Sequence, residues 1–294
     1  GWHCQHVLRS HADIISALVT APNGRVFASS SHDGTVRLWR LGKGREICIL
    51  DDGNTPVRCL AASGKFLASA GDDKSIKLWN LETGEHVRTL GGWFGGHSDS
   101  ILAVALSPKG KRLASGSADR TLKLWHIPTG KAAHSLISGA AVRAIAINPK
   151  GKVLVSTSGD RALKVQRLSN GQLLRALETE GKVAAIAIHP EGEWLACAAG
   201  DRVECWHLGT GERFATLAGH RAEIAAIAFS PQGDALVSGD RDGSLRIWDL
   251  TSEGGCQVLE THVGSITAVS FGADRHTPIV GGSDNTIQIW QWFA

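Results

Sequence analysis

His, Ser and Asp recur in this chain in the combination used for nucleophilic catalysis, with a Trp close behind. One set is His11, Ser29, Asp33 and Trp39. A second is His97, Ser115, Asp119 and Trp125, and a third is His220, Ser238, Asp242 and Trp248. A serine activated by an imidazole that a carboxylate orients is the hydrolytic triad. Three near-identical sets in one chain argue for another reading, because a catalytic site is normally single, whereas a repeated building unit carries its internal contacts in every copy. No other catalytic signal stands beside them. There is no Gly-x-x-x-x-Gly-Lys-Ser/Thr, no His-Glu-x-x-His and no Cys-x-x-Cys. The expectation is a non-catalytic chain with no cofactor and no metal site.

The elements that position these sets are repeats. The closing Trp recurs as Trp39, Trp79, Trp125, Trp206, Trp248 and Trp290, with Gln166 in the same frame, at successive gaps of 40, 46, 41, 40, 42 and 42 residues. An Asp stands six residues before the closing position in six copies and five before it, as Asp201, in the fifth. Residues 219–250 are the most complete of the seven copies. Each copy holds four runs of strand length. In the third these are Ile101–Leu106, Arg112–Ser115, Thr121–His126 and Lys131–Leu136, separated by Ser-Pro-Lys-Gly, Ala-Asp-Arg and Pro-Thr-Gly turns. The Ala-rich first runs could be helical by propensity. Pro and Gly end each within about six residues, which favours strands. The chain stops after a third run, while Trp2–Leu8 resembles a fourth run.

Period, Gly-His pairs and the Trp248-Asp249 close together resemble the WD-repeat family of β-propellers over the whole chain, residues 1–294. The resemblance implies an all-β, seven-bladed ring with four antiparallel strands per blade. It implies closure by the N-terminal strand joining the last blade, which covers a strand edge. It also implies that the recurring residues form a structural network, the turn Asp meeting the His, the His meeting the Ser, and the Ser meeting the indole N–H. The second, fourth and fifth copies lack the His, and the seventh has His262 without a Ser. The fourth and fifth blades are therefore expected to be the locally weakest.

Function is expected on the loop face around the channel. The resemblance places Arg58, Arg143, Lys182 and Arg241 at the channel mouth against Asp72 and Glu223, with His32 beside them, a mildly basic rim suited to an acidic or phosphorylated peptide. The 46-residue gap comes from Gly91-Gly92-Trp93-Phe94-Gly95-Gly96, on the same face. Trp93 and Phe94 are either an interface anchor or a plug folded over a neighbouring blade. With Lys+Arg 31 against Asp+Glu 28 and a net charge of +3, nucleic-acid binding is not expected, although an RNA-processing subunit remains the second reading and a propeller enzyme the third. No apolar run is long enough for a membrane span. The six cysteines lack metal spacing and fit free thiols in the cytoplasm. The absence of Met and the bacterial-like Ser-Pro-x-Gly turns suggest a segment of a longer protein, with an effector domain fused to a protein- or peptide-binding platform.

Overall fold

The computed structural model describes residues 1–251 and 255–294. It contains seven four-stranded sheets, every strand antiparallel to its neighbours. Six sheets are meanders of consecutive strands; blade 3 runs Ile101–Leu106, Arg112–Ser117, Thr121–His126 and Lys131–Ile137. The seventh is different. Ile266–Phe271, Pro278–Gly282 and Ile287–Trp292 are completed on the outside by the N-terminal strand Trp2–Leu8. The pairing runs from Trp2↔Trp292 to Leu8↔Ile287, and the rings of Trp2 and Trp292 meet edge-on at 5.4 Å. The first strand of each blade touches the first strands of both neighbours, so the first strands line the centre of a closed ring. The expected seven-bladed propeller and its closure are both present.

Alternation of strand direction sorts the turns onto two faces. The loops into each first strand and the turns between second and third strands share the upper face, and the other turns share the lower one. The core lies between blades. Ile76, Leu78 and Leu90 of blade 2 pack with Ile101, Leu113 and Trp125 of blade 3. Second strands are buried on both sides and carry small residues where the next blade presses closest. A Cβ on Gly116 would stand 2.4 Å from Val142 Cγ1 of blade 4. The upper turn demands a left-handed residue, which is Gly34 (φ 85°) in blade 1 and Gly243 (φ 87°) in blade 6. Lys74 and Arg120 adopt φ 66° at the same place in blades 2 and 3.

The first strands share one irregularity. In six blades the register slips by one residue near the upper end, as between Ile15 and Ala17 or Val57 and Cys59. The bulged residues are Ser16, Arg58, Leu102, Ala184, Ala225 and Thr267. A bulge re-aims the side chain it carries. Ser16 Oγ donates to Val57 O of blade 2 at 2.6 Å, and Thr267 Oγ1 donates to Ile15 O of blade 1, so these residues stitch adjacent blades around the mouth. Blade 4 departs: its first strand is only Ile145–Ile147, and Thr157 Oγ1 accepts from the Arg143 backbone N–H at 2.8 Å instead.

Candidate functional site

In blade 1, His11 Nδ1 lies 3.0 Å from Asp33 Oδ2, His11 Nε2 lies 2.6 Å from Ser29 Oγ, and Trp39 Nε1 donates to Ser29 Oγ at 2.8 Å. Blade 3 repeats this with His97, Asp119, Ser115 and Trp125 at 2.9, 2.7 and 2.8 Å. The carboxylate places the proton on Nδ1, so Nε2 accepts from the serine hydroxyl while that oxygen accepts from the indole. Ser29, Ser115 and Ser238 are fully buried with their hydroxyls occupied, and no substrate reaches them. The triad-like residues are structural fasteners.

Blade 6 corrects one assignment. His220 Nδ1 pairs with Asp240 Oδ2 at 2.7 Å, not with Asp242, while His220 Nε2 and Trp248 Nε1 meet Ser238 Oγ at 2.7 and 2.9 Å. Asp240 occupies the position of Ser31 and Ser117, two residues nearer the strand, and also accepts from the N–H groups of Asp242 and Ser244. That leaves the Asp242 side chain exposed. Blades 5 and 7 solve the missing Ser–His pair another way. Trp206 Nε1 donates to Glu204 Oε2 at 3.1 Å, and Trp290 Nε1 to Gln288 Oε1 at 2.9 Å. Glu204 is only 2% exposed and is further held by the Glu180 N–H at 2.9 Å and Arg213 Nη1 at 3.5 Å. The fifth blade therefore has a network of its own. His262 in the seventh is exposed, away from any such network. Blade 2 keeps only the Trp79–Ser69 bond at 3.0 Å, and in blade 4 Gln166 Nε2 turns to Gly171 O at 3.0 Å.

Acid should loosen these fasteners. Burial pushes the His11, His97 and His220 imidazoles below their usual range, outweighing the neighbouring carboxylates. For Asp33 and Asp119 burial acts upward, but hydrogen bonds from Thr35, Ala12 and His11, and from Thr121, His97 and Ser98, hold both carboxyls at about 2. All five groups bind protons more readily when unfolded. Stability is thus full above about pH 6.5 and falls below it as the histidines charge, then falls again between about pH 4 and 2 with the two aspartates. Denaturation midpoints at pH 7.5, 6 and 5 check this; a midpoint unchanged across that range would contradict it.

The upper mouth is less basic than the residue types suggest. Arg58 grips Asp72 in a fork, Nε to Oδ1 at 2.9 Å and Nη2 to Oδ2 at 3.0 Å, with His32 Nε2 3.4 Å from Nη1. The guanidinium holds the Asp72 carboxyl below its usual range. Arg241 meets Glu223 at 3.3 Å and Lys182 meets Asp160 at 3.9 Å. Among the described residues, Arg143 alone of the four mouth cations has no ionic partner, and it is exposed.

Trp93 and Phe94 stand apart from every cluster, 99% and 95% exposed. Their loop is pinched at its neck. A Cβ on Gly96 would stand 2.7 Å from Gly92 N, and Gly91, Gly92 and Gly95 take φ values of 82°, 105° and 75°. The neck throws both rings outward on the upper face between blades 2 and 3, so they do not cap a neighbouring blade.

Comparison with protein families finds the WD domain, G-beta repeat, seven times, at residues 2–40, 44–80, 84–126, 130–165, 171–207, 211–249 and 255–291. Comparison with curated proteins finds no match. Such propellers generally serve as protein-interaction scaffolds. The seven repeats, the seven blades they build and the Ser–His–Asp fasteners inside them make this chain a member of the WD-repeat family.

Proposed function

We propose that this propeller is a non-catalytic platform that captures a protein or peptide partner on its upper face, with Trp93 and Phe94 as the anchor. The observation that carries this reading is the pinched loop that holds two large rings almost wholly in solvent. Buried in a partner, each ring is worth about 1.5–3 kcal/mol. Arg143, Lys182 and Arg241 then form a rim that favours acidic or phosphorylated partners, and Arg58, Asp72, His32 and Glu223 hold that rim in shape. The six free cysteines, three of them buried, fit a reducing compartment such as the cytoplasm. A fused effector domain fits a platform of this kind. Among the described residues no helix is long and apolar enough to cross a membrane.

Trp93→Ala tests the anchor. Proteins retained by the immobilised wild type should be lost, and the melting temperature should stay within about 1 °C because no core contact is removed. Full retention of partners, or a clear drop in melting temperature, would sink the reading.

A further inference from the structure

The lower face carries a second feature that the upper-face reading does not use. Its turns between first and second strands read x-Pro-x-Gly-x in blades 1, 3, 4, 5 and 6, but their charge changes sign around the ring. Blade 3 reads Ser107-Pro108-Lys109-Gly110-Lys111 and blade 4 reads Asn148-Pro149-Lys150-Gly151-Lys152, whereas blade 5 reads His189-Pro190-Glu191-Gly192-Glu193. The second lower turns of blades 3 and 4 add Lys131 and Arg167 at their edges. Lys109, Lys111, Lys131, Lys150, Lys152 and Arg167 are all exposed. No Asp or Glu occurs in the lower turns of these two blades.

The two blades present these charges as one surface. A Cβ on Gly151 would touch Pro108 Cδ at 3.2 Å, so the two Pro-Lys-Gly-Lys turns abut. Arg112 of blade 3 reaches over to Ser169 O of blade 4 at 3.1 Å, locking the second turn alongside. One cation is partly spent: Lys150 Nζ lies 2.6 Å from Glu193 at the blade 5 border, both side chains being mostly exposed. Acids stand at the second lower turn of blade 2, Glu82 and Glu85, and at the first lower turn of blade 5, Glu191 and Glu193, while the first lower turn of blade 2, whose Ser63 bonds Pro108 O at 3.1 Å, extends the patch with the exposed Lys65.

We infer that the lower face of blades 3 and 4 is a docking surface for a flexible acidic protein segment, separate from the anchor on the upper face. Charge complementarity supplies the attraction and the acidic borders set its shape. A bilayer or a nucleic-acid duplex laid across this face would also meet Glu82, Glu85, Glu191 and Glu193. An extended chain can follow the basic stripe between them. Among the described residues no Trp or Phe is exposed in blades 3 and 4, so unpaired bases find no ring to stack on there.

The test uses the full chain, a fluorescein-labelled oligoglutamate peptide and fluorescence anisotropy. The wild type should bind at low salt and lose at least about tenfold in affinity at high salt. The combination Lys109→Glu, Lys111→Glu, Lys150→Glu and Lys152→Glu should abolish binding, and the same four changed to Gln should weaken it with an unaltered melt. In an Arg143→Glu, Lys182→Glu background, which removes the upper rim as a competing acidic-peptide site, the four Glu changes should still abolish the binding that remains. The inference is overturned if the wild type does not bind the peptide, or if the four Gln changes leave binding intact. It is overturned equally if homopolymeric RNA or vesicles of anionic phospholipid bind the four lysines more tightly than the peptide does.

Discussion

Removal of residues 1–9 should lower the melting temperature by about 10 °C or more, the largest effect expected of any change described here. The deletion strips the outer strand from blade 7. Leu8 is buried with Ile15, Leu18 and Phe27, and its loss alone costs about 1.5–3 kcal/mol. The ladder from Trp2↔Trp292 to Leu8↔Ile287 goes with it, each net hydrogen bond contributing about 0.5–1.5 kcal/mol. Together these reach about 5 kcal/mol, a large part of the 5–15 kcal/mol that holds a typical domain folded. The deletion also uncovers the edge of Ile287–Trp292, so the truncated chain should aggregate on heating. Thermal unfolding followed by circular dichroism, with light scattering, measures both. A truncated chain that melts within about 3 °C of the full one would show that the closure contributes little.

The second large effect is expected at Asp240. Asp240→Ala removes the acceptor of His220 Nδ1–H and of the Asp242 and Ser244 N–H groups in a site where the Asp240 side chain is 1% exposed. Three donors left without an acceptor should cost about 3 kcal/mol or more. Asp242→Ala, two residues away, should change stability by less than about 0.5 kcal/mol, since its carboxylate is exposed and fastens nothing. Urea midpoints for the two variants side by side decide the matter. Equal losses, or a greater loss at Asp242, would restore the assignment that spacing alone suggests.

That pair also marks where the sequence is readable and where it is not. The ring was legible because its signal is summed over seven closing positions, so Gln166 for Trp or a missing His does not disturb the register. Spacing alone misassigns the network in blade 6, because it identifies a residue's place in the turn, not which carboxylate points inward. The clue was present: Asp240 stands where Ser31 and Ser117 stand, and Ser244 stands where Thr35 and Thr121 back up the aspartate. Glu204 was missed for a similar reason. The residue two before the closing position is basic in Arg37, Lys77, Lys123, Lys164 and Arg246, and becomes Glu204 or Gln288 in the two blades whose Trp has no serine to meet. A change from cation to acceptor beside a Trp lacking its partner is a readable compensation. The mouth was least legible. Whether Arg58 faces solvent or folds onto Asp72 depends on rotamers across a bulge, which residue types do not specify.

The N-terminal strand begins the first family repeat yet lies in blade 7. Repeat and blade are out of step: each family repeat begins with the outer strand of one blade and supplies the three inner strands of the next. Inserting or deleting one whole repeat therefore neither strands an orphan sheet nor opens an edge. It yields a ring with one blade more or fewer, still fully paired. Copy number is then a heritable variable that duplication can change in a single step. What resists the change is the angle at which neighbouring blades meet, set by contacts as tight as Gly116 against Val142. Ring size in such a chain is governed by the small residues of the second strands, and substitutions there would be the route by which a propeller of another size becomes habitable.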